Sequence, residues 1–443
     1  MNEPASFRDP AANVLISGEK ILRRINKTYI PEYNLFMSKV YPELLEKKLI
    51  VPHVELSVTP EAIMIEPEYV PLISYPYEWS FAMIKEAALN TLSINRIALS
   101  HNMMLKDASA YNMQYYGGAL KLIDTTSFIN HADGMPWLAY PQFLTNFVSP
   151  LLLIKYVDSA LGVISQMFLD GIPITLTAQL LPWQKRFSPG VIKHLYSQAI
   201  ASRFDADKYK KIPRMSNIVL FALLDDLYEF VDSLKYKERS KGWMDYADKG
   251  MGSYIGTSLA SKRKIVDNLL SERSKGWGTI LDLGANTGEY SRVAANKGYD
   301  VIAVDSDHDC MNRLYGAKSV LPLIIDLCNP SPAIGWANTE RRSFWDRSGR
   351  IDTIMALALI HHLCVKHNVP LGMVAEFLAR HCEKLIIEWV PPWDKQAMRL
   401  LGEKNIPEYS HGCFLQEFGR RFRILKEYPI EASVRVIYKM EVR

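Results

Sequence analysis

From about residue 257 to the carboxyl terminus, short apolar runs alternate with amphipathic ones. A helical run, SKRKIVDNLLSE (261–272), precedes the strand-like GTILDLG (278–284). The helical YSRVAANKG (290–298), the strand-like DVIAVD (300–305), the helical HDCMNRLYGA (308–317) and the strand-like LPLIID (321–326) follow. The strand-like IDTIMALAL (351–359), the helical VPLGMVAEFLARHC (369–382) and the strand-like KLIIEW (384–389) complete the series. Strands that are apolar throughout are buried on both faces, and helices between them supply the cover. The pattern therefore predicts an α/β fold with a doubly wound, mostly parallel sheet. The closing run FRILKEYPIEASVRVIYKMEVR (422–443) reads as two strands joined by a turn, an antiparallel hairpin at the sheet edge.

At 443 residues the chain is too long for one ordinary core. Residues 1–145 mix short strand-like runs (NVLISGEKILRRI, VPLISYP) with a strong helical pattern over 80–103, predicting an α+β domain. Residues 146–240 read as a helical spacer broken at DGIPI and FSPG, and residues 241–443 hold the α/β region. The most apolar stretch, 147–169, contains Lys155 and Asp158 and is interrupted by Pro150, so it reads as a buried helix rather than a membrane span. With 48% apolar residues, 23% charged residues and a net charge of +4, the composition is that of a globular protein and argues against nucleic acid as a partner. The amino-terminal residues lack a basic-then-apolar leader. Five cysteines without a CxxC pair suggest neither a zinc site nor a disulfide framework. A cytoplasmic location with reduced thiols is the expectation.

TILDL feeds directly into Gly284, and Gly288 opens the next helix. Glycine lets backbone approach a ligand closely, and a helix N-terminus offers unpaired N–H groups, so this is a nucleotide-type site. A dinucleotide fingerprint reads G-x-G-x-x-G; here the loop reads G-A-N-T-G, and Asp282 stands two places before the first glycine. A pyrophosphate is poorly served by that carboxylate, whereas a ligand with a cationic amino group is well served.

These residues resemble motif I of the class I S-adenosylmethionine (SAM) methyltransferases. The resemblance covers roughly 250–443 and continues in order. Asp305, 17 residues beyond Gly288 at the end of VIAVD, matches the family's ribose-binding acid, and Asp326, closing LIID, matches the acid that contacts the adenine amino group. It implies SAM as the cofactor, held by Asp282, Gly284, Ala285, Gly288, Asp305, Ser306, Asp326 and Leu327. With the balanced charge weighing against nucleic acid, the expectation is a bacterial-type methyltransferase acting on an oxygen or nitrogen of a small or conjugated metabolite.

Methyl transfer from a sulfonium is an in-line displacement that needs a nucleophile held close and, for many acceptors, a base. His361 and His362 follow the fourth strand on the face where substrate approaches, and Glu388 ends the fifth; these three are the candidate catalytic residues. Adjacent residues on a strand point opposite ways, so the two histidines are not read as a metal pair. WMDYADKGMGSY (243–254) is a candidate segment to close over the cofactor.

A second chemistry is suggested near the amino terminus. Asp107 and Asn112 have the D-x-x-x-x-N spacing, and Asp124 follows a turn through Gly117–Gly118. The order resembles the catalytic loop and metal-binding acid of the protein and small-molecule kinases, with Lys20, Arg23 or Arg24 as the basic partner. No G-x-G-x-x-G loop or V-A-I-K lysine accompanies it, and the Asp124 motif reads D-T-T rather than D-F-G. The resemblance is to a reduced kinase-type module fused to or regulating the methyltransferase. The alternative reading is an Asx-turn and hairpin in a domain that orients substrate.

Overall fold

The computed structural model describes residues 3–17, 20–201, 214–239, 256–271, 278–404 and 406–443. The chain divides into two compact units, one comprising 1–237 and 333–342, the other 238–332 and 343–443. Among the described residues no helix is long and apolar enough to cross a membrane.

The first unit begins with strands β1 (Ala12–Ser17), β2 (Lys20–Asn26), β3 (His53–Val58) and β4 (Ala62–Pro67), an antiparallel sheet in the order β1-β2-β4-β3. Helix α1 (Phe81–Ser100) buries Met83, Ile84, Ala87, Ala88, Leu92, Ile94 and Leu99, the three- and four-residue spacing seen in the sequence. Strand β5 (Met103–Leu105) pairs with β8 (Phe128–Asn130), and β6 (Met113–Tyr116) pairs with β7 (Ala119–Leu122). Gly117 and Gly118 turn that hairpin with φ of 59° and 84°, a left-handed pair that favours glycine at both positions. Helix α2 (Asn217–Ser233) follows, buried through Leu220, Leu224, Leu227 and Val231.

Two sequence expectations in this unit are corrected. VPLISYP is not a strand: it runs as irregular chain into a short 3-10 turn at Pro76–Glu78, with Leu72, Tyr75 and Tyr77 buried. Its apolar side chains fill the core without a ladder partner. Nor is 147–169 one buried helix. The helix Ser149–Tyr156 ends, and Asp158, extended at φ −155°, caps a 3-10 segment over Ser159–Met167 by accepting a hydrogen bond from the Ala160 N–H. Val163 and Met167 are exposed there.

The second unit carries helix α3 (Thr257–Ser271), then β9 (Thr279–Leu283), helix α4 (Glu289–Asn296), β10 (Asp300–Asp305), helix α5 (His308–Tyr315) and β11 (Leu321–Ile324). Strand β12 (Ile351–Ala356), helix α6 (Leu371–His381), β13 (Cys382–Trp389), helix α7 (His411–Arg421), β14 (Phe422–Pro429) and β15 (Val436–Val442) complete it. Seven strands form one sheet in the order β11-β10-β9-β12-β13-β15-β14. The first five are parallel and β15 runs antiparallel to both its neighbours. This is the doubly wound sheet with an antiparallel edge hairpin that the sequence predicts. One layer of its core joins Val266, Leu269 and Leu270 of α3 to Ile280, Ala303, Met355 and Ile386 on four strands and to Met311 and Leu314 of α5. The strand order reverses at β9/β12, so the carboxyl ends of β9, β10 and β12 open onto the crevice where such sheets bind ligands.

Candidate functional site

Asp282 is the penultimate residue of β9 and 3% exposed. Its Oδ2 accepts a hydrogen bond of 2.6 Å from the Ser291 hydroxyl of α4. Burial pushes its carboxyl up to about 6, against the pull of that hydrogen bond and of Lys262. Beyond it, the Gly284 and Ala285 N–H groups donate to the Val304 carbonyl at 2.9 and 3.1 Å, which joins the loop to β10. Gly284 has φ +71°, and a Cβ there would press on Leu359 at 3.2 Å. Gly288 has φ +77°, and a Cβ there would run into the Leu314 side chain. Both glycines are required by conformation and by close neighbours.

Asp305 ends β10. Its Oδ2 accepts from the Asn286 N–H and its Oδ1 from the Asp307 N–H, both at 2.9 Å, so one carboxylate ties the glycine loop to the next turn. Burial raises its pKa. Ser306 is exposed beside it. The Ile325 N–H donates to the Asp305 carbonyl, bringing the end of β11 alongside. Asp326 is exposed there, accepting from the Cys328 N–H at 2.9 Å, and Leu327 is half-buried. The eight sequence-predicted cofactor residues thus lie at the carboxyl ends of three neighbouring strands.

These residues fit SAM. Asp282 is a carboxyl whose proton affinity is raised by burial, and a cationic ligand group would favour its ionised form. Asp305 and Asp326 are acceptors suited to ribose hydroxyls and an adenine amino group. The segment at 243–254 lies outside the described residues.

His361 and His362 follow β12, where Ala358 turns the chain at φ +53°. They are not on a strand: His361 has helical φ/ψ of −69° and −28°, and the two rings sit 4.3 Å apart between centroids. Strand alternation therefore does not turn the two side chains to opposite faces. His361 is 1% exposed, and neither ring nitrogen has a hydrogen-bond partner among the described residues. Burial, then His362 and Arg435, lower its pKa to about 3; burial lowers that of His362 to about 4. Both imidazoles are neutral at ordinary pH.

Glu388 does not stand ready as a base. Its carboxylate is fully buried on β13 and bridges the Lys262 ammonium at 2.7 Å and the Arg435 guanidinium at 3.1 Å. Arg435 in turn holds Asp394. Each of its oxygens is committed to one of those cations. The sequence reading missed Lys262, Asp394 and Arg435; their spacing along the chain carries no pattern, and Lys262 on its helix reads as a solvated charge.

In the first unit Asp107, Asn112 and Asp124 come together. Asn112 Nδ2 donates to Ser127 Oγ at 3.2 Å, and Ser127 donates to Asp124. Asp107 feels the Asp124 charge and accepts from the Ser109 N–H, an Asx-turn, and from Gln142 Nε2. Of the three basic residues considered, Arg23 reaches Asp124, at 2.5 Å, whereas Lys20 pairs with Glu66. Among the described residues no three His, Cys, Asp or Glu side chains are grouped to hold a metal ion.

Residues 258–402 match a family model described as a methyltransferase domain. Among curated relatives, nodulation protein NoeA of Rhizobium meliloti (strain 1021) is 30% identical over 458 aligned residues, covering 98% of this chain and 95% of the relative. Among solved structures, the magnesium protoporphyrin IX methyltransferase ChlM of Synechocystis PCC 6803 with bound SAM aligns over 47% of this chain and 100% of its own, at 14% identity and a TM-score of 0.32. The N-methyltransferase NodS of Bradyrhizobium japonicum WM9 aligns over 41% and 97%, at 9% identity and a TM-score of 0.31. Identity sustained over nearly the whole length, together with the methyltransferase match over the glycine loop and its following strands, places the chain: it belongs to the family of nodulation protein NoeA and is a class I SAM-dependent methyltransferase.

Proposed function

We propose that the chain methylates an oxygen or nitrogen of a small or conjugated metabolite and that residues 1–145, with the helical region 146–240, orient that acceptor. The alignment to NoeA spans both units, which supports a role for the amino-terminal region in the same activity. Nucleic acid is disfavoured as the acceptor by the near-balanced charge. A cytoplasmic location fits this reading.

The observation that carries the proposal is His361, a buried neutral imidazole without a hydrogen-bond partner among the described residues, just beyond the strand end whose Leu359 lies against Gly284. Leaving both nitrogens unsatisfied costs roughly 1–3 kcal/mol each, so an acceptor group that hydrogen-bonds there gains by doing so. SAM, when bound, supplies an electrophilic methyl group on a cationic sulfur. His361 receives the acceptor's O–H or N–H as a hydrogen bond and orients it. The acceptor's proton becomes strongly acidic as the new bond to carbon forms, so a base of low proton affinity suffices to take it. His362 lines the approach. Asp282, Gly284, Ala285, Gly288, Asp305, Ser306, Asp326 and Leu327 hold the cofactor in this reading, and Glu388 holds Lys262 and Arg435 in place.

The test is label transfer from methyl-labelled SAM into fractionated metabolites, read by mass spectrometry. His361→Ala should lose transfer while keeping the thermal stabilisation given by SAM. Wild-type transfer by that variant, or label found in nucleic acid, would overturn the reading.

A second reading rests on the meeting of Asp107, Asn112 and Asp124 with Arg23: an ATP-binding module of kinase-like ancestry that regulates the methyltransferase. The Arg23–Asp124 ion pair engages the carboxylate that a metal would need. Stabilisation by ATP with magnesium, lost in Asp124→Ala, supports this reading; no shift removes it.

A further inference from the structure

The helical region of the first unit holds two large aromatic side chains in solvent. Trp183 is 66% and Phe187 70% exposed, and their rings meet edge to face, 6.4 Å apart between centroids at 82°. They open and close a 3-10 turn, Trp183–Phe187, in which every residue is exposed. The backbone beneath them is fixed. Leu181 and Val191 on either side are buried, and Pro182 and Pro189 set φ at entry and exit. The Lys185 N–H donates to the Pro182 carbonyl at 2.9 Å. The Arg186 guanidinium donates to the Gln179 and Leu181 carbonyls at 3.2 and 3.3 Å, which ties the turn to the end of the helix Ile174–Leu180. Leu180 and Ile192, just outside the turn in sequence, are exposed as well.

The charge of this segment has one sign. Residues 171–204 contain no aspartate or glutamate. Lys185 and Arg186 stand between the two aromatic residues, the first over the Tyr156 ring at 5.3 Å, the second on its two carbonyls. Neither is ion-paired with a carboxylate among the described residues. Lys193, further along, is engaged by Asp226 at 2.7 Å. Single apolar side chains on a surface need no explanation, but two adjacent rings held out by a fixed backbone mark a surface that something covers. The order aromatic, polar, cation, cation, aromatic fits one cover in particular. At a bilayer interface, tryptophan and phenylalanine rings enter at the boundary of headgroups and acyl chains, while lysine and arginine meet anionic phosphates at the same level. A protein partner would have to bring an apolar socket and an acidic rim together; an anionic lipid surface presents both everywhere.

We propose that the turn Trp183–Phe187 seats the protein on an anionic membrane surface, with the two rings in the interface and Lys185 and Arg186 on lipid phosphates. The contact is peripheral and reversible, since among the described residues no helix is long and apolar enough to cross the bilayer. The region between residues 146 and 240 then has a binding task of its own rather than serving only to space two domains. The inference does not depend on the methyl acceptor.

Cosedimentation of the full-length protein with vesicles of phosphatidylcholine and phosphatidylglycerol in equal parts tests it. Binding should be saturable, weaker on phosphatidylcholine alone, and reduced as salt screens the two cations. Trp183→Ala/Phe187→Ala should weaken it about tenfold or more, and Lys185→Glu about tenfold. Trp393→Ala, at a comparably exposed tryptophan of the second unit, should bind as wild type. Both aromatic side chains are exposed, so the double variant should unfold at the wild-type temperature; if it does not, Lys185→Glu carries the test. Absence of binding at millimolar lipid, equal binding by all variants, or an equal loss in Trp393→Ala overturns the proposal. A dimer in sedimentation equilibrium that Trp183→Ala/Phe187→Ala dissolves also overturns it, because a second copy then covers the rings.

Discussion

Arg435 grips Asp394 with two parallel hydrogen bonds, Nε to Oδ2 at 2.9 Å and Nη2 to Oδ1 at 2.8 Å, while both residues are at most 3% exposed. The third guanidinium nitrogen reaches Glu388, and Glu388 reaches Lys262, so two cations and two carboxylates neutralise each other inside the second unit. Asp394 also caps the helix Lys395–Leu401 through the Gln396 N–H. Such a set is worth little against an apolar filling, yet removing one member strands an unpaired charge. Arg435→Met should therefore cost about 3–5 kcal/mol. Lowered thermal unfolding of the variant checks this, and the double variant Arg435→Met/Asp394→Asn, which leaves the Lys262–Glu388 pair balanced, should recover part of the loss.

Asp282 gives the cofactor site a pH signature. Its folded-state carboxyl titrates near pH 6, above the ordinary carboxylate value, so between about pH 4 and 6 the folded protein holds a proton that the unfolded chain has released. Its contribution to stability is thus fully present below that window and falls as pH rises through it. A cationic cofactor has the opposite preference, because it favours the ionised form. SAM affinity should rise toward tenfold per unit from pH 5 to 6 and level off above 7. Asp282→Asn should bind more weakly and show a flat profile in the same titration.

Gly288 cannot be replaced cheaply. Alanine there would hold a left-handed backbone and drive a methyl group into Leu314. Gly288→Ala should lose about 1–3 kcal/mol of stability from backbone strain alone. SAM-induced stabilisation should fall with it, and Gly288→Ala/Leu314→Ala should relieve the clash but not the strain, which differential scanning calorimetry can separate.

Asp305 joins two turns through backbone N–H donors from Asn286 and Asp307. Asp305→Ala should abolish the thermal shift given by SAM or its demethylated product. Asp305→Asn keeps one acceptor oxygen and should retain part of it. If NAD stabilised the protein while SAM did not, the cofactor assignment would fail.

What the sequence reveals depends on which forces act locally. TILDL, DVIAVD and KLIIEW are legible because strands covered on both faces have no polar positions to interrupt them, and the hairpin after Asn112 is legible because Gly117–Gly118 dictates its turn. Strand β3 is harder to find: Val54, Leu56 and Val58 point outward and are more than half exposed, so its alternation does not mark a buried face. The cofactor residues are readable because strand ends and glycine spacing fix them within one continuous segment. Lys262 and Arg435 are not, because their burial depends on Glu388, 126 and 47 residues distant in sequence. The same limit applies to Arg23, which only the fold selects over Lys20 and Arg24 as the partner of Asp124.

The decapeptide Ala333–Arg342 belongs to the first unit although the chain on either side of it belongs to the second. Glu340, almost fully buried, takes the Arg8 guanidinium, Arg342 pairs with Glu3 and donates its N–H to Tyr75 Oη, and the Arg341 guanidinium lies 4.3 Å from the Tyr111 ring centre. The polypeptide therefore passes between its units three times rather than once. Recombination at residue 237 would hand a recipient an amino-terminal unit lacking this peptide and leave the peptide behind in a host with no seat for it. A chain threaded in this way has no single cut point that separates its two units intact.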